Sequence, residues 1–212
     1  MEPPKREKYS FATELMRKMI HLNGIFIIIM YELLDKRITL LVLTIALVIA
    51  LEAEYFRIEW GKKIPLFDVL FRQKEKKVLG GYVFLAISAI IAISVFSKEV
   101  AALAILMIVI GDAAAAIFGR AYGKHFIPGL KNKAYEGVIA EFVADMAVGI
   151  LYLALVIGNI TPIYWIVLIM MAAVGTTIET LTNKLDDNLL VPVFSGIVGE
   201  AVLFLLPMIM YM

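Results

Sequence analysis

The chain contains no cysteine, a single glutamine and few charges: 18% of its 212 residues are Asp, Glu, Lys or Arg. Without cysteine there is no disulfide framework, no thiolate nucleophile and no thiolate metal site. A soluble domain carries about 25% charged and about 45–50% apolar residues, whereas 62% of this chain is hydrophobic and its mean hydropathy is +0.89. That composition excludes a water-soluble enzyme, a secreted disulfide scaffold and a disordered protein. Twenty basic residues stand against nineteen acidic ones, so there is no basic excess for nucleic acid, and no nucleic-acid partner is expected. Neither a GxxxxGK[ST] loop nor a glycine fingerprint following a strand is present. Internal repeats and low-complexity tracts are absent too, and residues 1–212 read as one domain. No cleavable signal peptide is expected, because residues 1–18 are charged and the first apolar run lacks a small-residue cleavage site.

What the chain does have is long apolar runs. A helix needs about 20 mostly apolar residues to cross roughly 30 Å of hydrocarbon. Seven stretches meet or approach that length: 19–34, 38–56, 79–97, 99–118, 137–157, 160–181 and 189–211. The expected fold class is all-α, a polytopic membrane bundle of about seven transmembrane helices. Basic residues orient it. Seventeen of the twenty lie in the amino tail (1–18), the 57–78 loop, the 120–133 loop and the 182–188 loop. Only Lys36, Arg37 and Lys98 fall on the other side. The positive-inside rule therefore places the amino terminus and these loops in the cytoplasm.

Acidic residues at membrane depth are the next signal, since a charge at the centre of a span costs at least about 2.5–3.5 kcal/mol. Asp112, Glu141, Asp145, Glu179 and Glu200 lie inside the spans or at their edges. Glu200 is as readily explained by a basic partner reaching in from a neighbouring helix as by function. Glu141 and Asp145 share one helix face, and two such carboxylates repel unless a cation or a shared proton sits between them. Asp112 opens the stretch Gly111-Asp112-Ala113-Ala114-Ala115-Ala116-Ile117-Phe118-Gly119-Arg120-Ala121-Tyr122-Gly123-Lys124. In it Gly111, Ala115 and Gly119 recur every four residues, a ridge suited to close helix contact. That contact does not account for the acid beside the ridge, nor for Arg120 and Lys124 at its end.

Lys131-Asn132-Lys133-Ala134-Tyr135-Glu136-Gly137 then opens the fifth span. Lysines beside a helix start, with its free N–H groups, suit a phosphate, and Glu136 with Asp112 offers oxygen ligands for a divalent cation. A third cluster runs from Glu179 through Asn183 to Asp186, Asp187 and Asn188.

The series GDAAAAIFGRAYGK, KNKAYEG and, after an acid, DDNLLVP resembles the CTP-dependent lipid-alcohol kinases, the family of dolichol kinase, phytol kinase and a CTP-using diacylglycerol kinase. ELMRKMIH (Glu14 to His21) and the 68–81 stretch with Arg72, Glu75, Gly80 and Gly81 extend the likeness over most of the chain. The resemblance implies transfer of the γ-phosphate of CTP to a membrane isoprenoid alcohol, dolichol- or polyprenol-like, with Mg²⁺ or a similar divalent cation. On that pattern Asp112, Gly119, Gly123, Lys133 and Glu136 line the CTP–metal site, and Glu179, Asp187 and Asn188 complete it. Asp112, Asp187 and Glu136 are the candidate metal ligands, and Lys133, Lys124 and Arg120 the phosphate contacts. Glu136 or His21 would accept the hydroxyl proton. The chain departs from the pattern at Ala134, where the family usually has Ser or Thr.

A multi-pass membrane location with the site on the cytoplasmic side follows, as does a lipid substrate entering from the bilayer; a homodimer is compatible with it. Diacylglycerol is the second acceptor expected. The phosphatidate cytidylyltransferases share the central motifs but carry a carboxyl-terminal H-G-G-x-x-D-R element, in whose place Asp187-Asn188-Leu189 stands. An ion-coupled transporter would show inverted repeats, and a retinal protein would need a lysine in the 189–211 span, which has none. Because the chain lacks cysteine, one introduced thiol is a unique label. Lys74→Cys should react with an impermeant maleimide from the cytoplasmic side only and Asn159→Cys from the opposite side only; the reverse pattern would overturn the orientation.

Overall fold

A computed structural model describes residues 22–59, 78–130, 133–158, 160–182 and 185–210. His21, the amino tail and most of the 57–78 loop lie outside the described residues, as do Lys131, Asn132, Asn183 and Lys184. Seven α-helices follow one another: α1 (Ile25–Leu33, after a 3-10 turn Leu22–Gly24), α2 (Lys36–Glu59), α3 (Gly81–Val95), α4 (Lys98–Tyr122), α5 (Tyr135–Val156), α6 (Pro162–Leu181) and α7 (Asp187–Met210). They occupy the seven stretches expected from hydropathy. Five of them, α2 and α4 to α7, are long and apolar enough to cross a membrane. The segments Leu22–Leu33 and Gly81–Val95 are shorter, so helix length by itself carries five crossings rather than seven.

Local chemistry sets the ends. Asp35 precedes α2 and accepts the Arg37 N–H on its side chain at 2.9 Å, the bond expected of a capping aspartate. Asp186 serves α7 in the same way, accepting the Asn188 N–H at 3.1 Å. Pro162 opens α6, where its missing N–H costs nothing. Helix α4 runs four residues beyond the expected boundary at 118, through Gly119-Arg120-Ala121-Tyr122. Two polar residues do not end a helix whose backbone bonds can continue.

Helix α4 is the axis of the bundle, packed by α1, α3, α5, α6 and α7. Every residue from Val100 to Val109 is buried, as befits a helix apolar on all sides. Helix α2 is the opposite case. Only 17% of its apolar window is buried, against 72% for α4, and Leu41, Ile45, Val48 and Ile49 face outward. Outward apolar rows recur on α5 (Ile139, Val143, Leu151, Leu155) and α7 (Ile197, Phe204, Leu205). Such a surface suits hydrocarbon and not water.

Polar ties hold the ends of the helices together. At one end Glu54 on α2, 1% exposed, takes Arg57 Nε at 3.1 Å, the Gly80 N–H at 3.3 Å and the Tyr82 hydroxyl. Arg57 also donates to the Val78 carbonyl at 2.7 Å, so the cluster joins α2 to the start of α3. At the other end Glu32 accepts from Tyr152 at 2.7 Å and pairs with Lys98 at 2.8 Å. Glu200 on α7 accepts both the N–H and the hydroxyl of Ser97 at 2.9 Å. Its partner is thus the residue preceding α4 and not a basic side chain. Glu200→Ala should lower stability by about 0.5–1.5 kcal/mol, the net worth of a typical hydrogen bond, and Glu200→Gln by less, both read from thermal melts in detergent.

Candidate active site

The site is built where α4 and α5 meet. Between them the chain folds back through a short hairpin. His125 O accepts the Tyr135 N–H at 2.9 Å, and Lys133 O accepts the Ile127 N–H at 3.0 Å. Gly129 turns the tip at φ 85°, a conformation that favours glycine. Glu136 stabilises this hairpin from inside: its carboxylate accepts the N–H groups of Lys124 and His125 at 3.2 and 3.1 Å and meets His125 Nδ1 at 2.7 Å. The hairpin returns α5 antiparallel to α4 and in backbone contact with it. A Cβ on Gly137 would stand 3.0 Å from the Ala115 carbonyl oxygen and 3.2 Å from the Gly119 Cα.

One further turn along each helix, a Cβ on Gly111 would lie 2.2 Å from Asp145 Oδ1 and 3.2 Å from Glu141 Cγ. The ridge Gly111-Ala115-Gly119 therefore faces Gly137, Glu141 and Asp145, which repeat at the same spacing. Small residues on one helix create the room that acidic side chains of the other occupy.

Beside this seam, carboxylates from three helices converge. Asp112 on α4, Glu179 on α6 and Asp187 on α7 each offer one oxygen, and these oxygens all lie within 4.8 Å of one another. Asp112 and Glu179 are buried and Asp187 is partly so. Lys133 reaches across from the hairpin to the end of α6, donating to the Glu179 carbonyl at 3.1 Å and to its carboxylate. A cation at that place is also favoured by the carboxyl end of a helix. Asn188, next to Asp187, donates its side-chain amide to Asp186 at 2.6 Å. Its Oδ1 is buried with no hydrogen-bond partner. Gly81 closes over it: a Cβ there would stand 2.7 Å from Asn188 Nδ2. Three carboxylates make a hard, all-oxygen donor set, the kind that holds Mg²⁺ or Ca²⁺.

Of the three metal ligands expected from sequence, Asp112 and Asp187 come together and Glu136 is engaged in the hairpin. Glu179, expected as a nucleotide contact, stands in the third place. Gly119 lies in the seam. Gly123 ends α4, where a Cβ would meet the Gly119 carbonyl oxygen and Ala134. Arg120 and Lys124 are exposed at the same end of the bundle. His21 lies outside the described residues. Spacing could have ranked Glu179 above Glu136: Glu179 follows an apolar run, whereas Glu136 opens a helix beside His125 and Lys124.

Comparison with known proteins agrees with the resemblance carried by the motifs. The chain is 29% identical to CTP-dependent diacylglycerol kinase 1 of Eremothecium gossypii over 87% of its own length and 65% of that protein. It is 27% identical to CTP-dependent diacylglycerol kinase 1 of Schizosaccharomyces pombe, over 89% of this chain and 93% of that one. Probable phytol kinase 3, chloroplastic, of Glycine max is 30% identical over 60% of this chain and 43% of its own. The chain thus spans just under two thirds of the first relative and most of the second. No family model and no solved structure matches it. These relatives are CTP-dependent lipid kinases or a phytol kinase, and a dolichol kinase is not among them. The α4–α5 contact is open to a direct test. Gly137→Val should force the seam apart and cost about 1–3 kcal/mol, the usual penalty of overpacking; an unchanged melting temperature would contradict the contact.

Proposed function

We propose that this chain transfers the γ-phosphate of CTP to the hydroxyl of a membrane lipid, with Mg²⁺ or a similar divalent cation. The observation that carries the proposal is the convergence of Asp112, Glu179 and Asp187 from three separate helices. They lie beside the Lys133–Glu179 pair, at the end of the bundle where Arg120 and Lys124 are exposed. The kinase relatives support the same reading. A divalent cation held by the trio would neutralise charge on the donor phosphates during transfer.

The chain's own residues supply position and charge. Arg120 and Lys124 offer donors to an incoming triphosphate. Lys133, anchored on Glu179, is placed to exchange a carboxylate partner for a phosphate oxygen, the stronger pull of a polyanion favouring the exchange. Phosphoryl transfer asks the protein for little covalent work, so positioning and electrostatics are enough. The exposed apolar faces of α2 and α5 offer a lipid a route along the bundle, and the basic bias of the loops supports a site on the cytoplasmic side.

The acceptor is a lipid with a hydroxyl at the membrane interface. Diacylglycerol and phytol are named for the relatives, and a dolichol-like polyprenol follows from the motif resemblance; all three present an alcohol on a bilayer-anchored chain. A cytidylyltransferase-type reaction is the second reading, favoured by the shared central motifs and disfavoured by Asp187-Asn188-Leu189. One assay separates them. Purified protein with labelled CTP and a panel of diacylglycerol, phytol and polyprenols should release CDP and a lipid monophosphate, whereas pyrophosphate and a CDP-lipid would overturn the kinase reading. Asp112→Asn and Asp187→Asn should each abolish the transfer; retained activity would remove the trio from the site.

A further inference from the structure

Two carboxylates of the seam have no role in the reaction described above. Glu141 and Asp145 are 2% and 1% exposed, and Glu141 Oε2 and Asp145 Oδ1 are buried with no hydrogen-bond partner. They differ in this from the other buried acid outside the trio, Glu54, which is bonded to Arg57, Gly80 and Tyr82. They lie one turn apart on α5 and both overhang Gly111. Asp145 Oδ2 would stand 3.9 Å from a Cβ on Gly175 of α6. Gly175 precedes Glu179 by four residues, so the pair sits about 6 Å, one helical turn, further from the end of α6 than the trio.

The hydroxyls of α6 are a second and independent observation. Several helical hydroxyls in this bundle bond a carbonyl three or four residues back: Thr44 to Leu40 at 2.7 Å, Thr177 to Ala173 at 2.6 Å, Ser195 to Val191 at 2.6 Å and Ser88 to Leu85 at 3.0 Å, whereas Thr39 on α2 is buried without a partner. Thr176 and Thr180 make no such bond either. They are 5% and 7% exposed, they follow Gly175 and Glu179 on the buried face of α6, and their Oγ1 atoms have no partner. Two acidic side chains of α5 and two neutral hydroxyls of the neighbouring α6 are thus each buried with hydrogen-bonding capacity unused.

Charge points to what satisfies them. Glu179, Asp145 and Asp112 are all electrostatic neighbours of Glu141, and Lys133 brings a single positive charge to Glu179. Lys133 acts on Glu141 as well, but with one divalent ion at the trio that leaves three positive charges against the five carboxylates Asp112, Glu141, Asp145, Glu179 and Asp187, and an uncompensated carboxylate is costly in an apolar interior. We propose that Glu141 and Asp145 form a second divalent-cation site, one helical turn deeper than the trio, with the Thr176 and Thr180 hydroxyls as neutral oxygen donors. Hard oxygen ligands of this kind select Mg²⁺, Mn²⁺ or Ca²⁺.

The test is Mn²⁺ binding to the full chain in nanodiscs without nucleotide, followed by electron paramagnetic resonance. Wild type should bind two Mn²⁺ per chain, with the broadening expected of ions roughly one helical pitch apart. Glu141→Gln/Asp145→Asn should bind one and lose the broadening, and Glu141→Gln alone, the milder change, should also lose the second ion. Thermal melts of the metal-free proteins check folding, and the neutral isosteres should melt no lower than wild type. If Glu141→Gln/Asp145→Asn binds as many ions as wild type, the pair shares a proton and the proposal fails. Asp112→Asn/Asp187→Asn addresses the trio separately: it should remove the other ion and leave the one at Glu141 and Asp145. If that variant still binds two ions while the α5 variants lose one, the deep site stands and the trio's metal role falls.

Discussion

The backbone contact between α4 and α5 is the constraint on which the other features depend. In lipid no hydrophobic force drives helices together, and association relies on close packing of small residues. Here Gly119 meets Gly137 with no side chain between them. That contact sets the register of the two helices, and the register places Glu141 and Asp145 over Gly111. It also places the hairpin end of α5 where Lys133 reaches Glu179. A bulkier residue at the seam would therefore disturb the carboxylates and the lysine together, because one rigid interface positions both.

Polar groups between the helices of this bundle fall into two kinds. The clusters around Glu54, Glu32 and Glu200 are closed: their carboxylates accept from nearby donors and join neighbouring helices at the ends of the bundle. Along the α4–α5–α6 seam, beside the three acids that converge at Asp112, Glu179 and Asp187, the side chains of Glu141, Asp145, Thr176, Thr180 and Asn188 are open, each keeping a buried polar atom without a partner. A low-dielectric interior penalises unpaired polar atoms, and so several of them along one seam support the reading of that seam as a ligand site. The difference between closed and open clusters separates scaffold from site more sharply than burial does, since Glu54 is as deeply buried as Asp145.

Much of the fold was legible because lipid imposes a simple code. Apolar runs marked all seven helices to within a few residues, and the four-residue spacing of Gly111, Ala115 and Gly119 announced a close contact. Three details were not. Helix α4 continues through Arg120 because backbone hydrogen bonding does not stop at the membrane edge. Glu136 is a candidate ligand by motif, and spacing does not show that the chain reversal before it brings three groups to its carboxylate. Glu200 left function and a structural partner equally open by depth, and its carboxylate binds Ser97, which is 103 residues away in sequence.

Composition and periodicity by themselves determined that the chain is a helical membrane protein, where its helices lie and which acids sit among them. These are properties of consecutive residues, and the bilayer reads consecutive residues. Which acids share a cluster was decided only by tertiary structure. Asp112, Glu179 and Asp187 come from three helices, and their meeting depends on crossing points fixed by glycine contacts between segments far apart in the chain. Tertiary structure also distinguished a carboxylate held by its neighbours from one left open, because a hydrogen-bond partner is defined by distance in space and not by position in sequence.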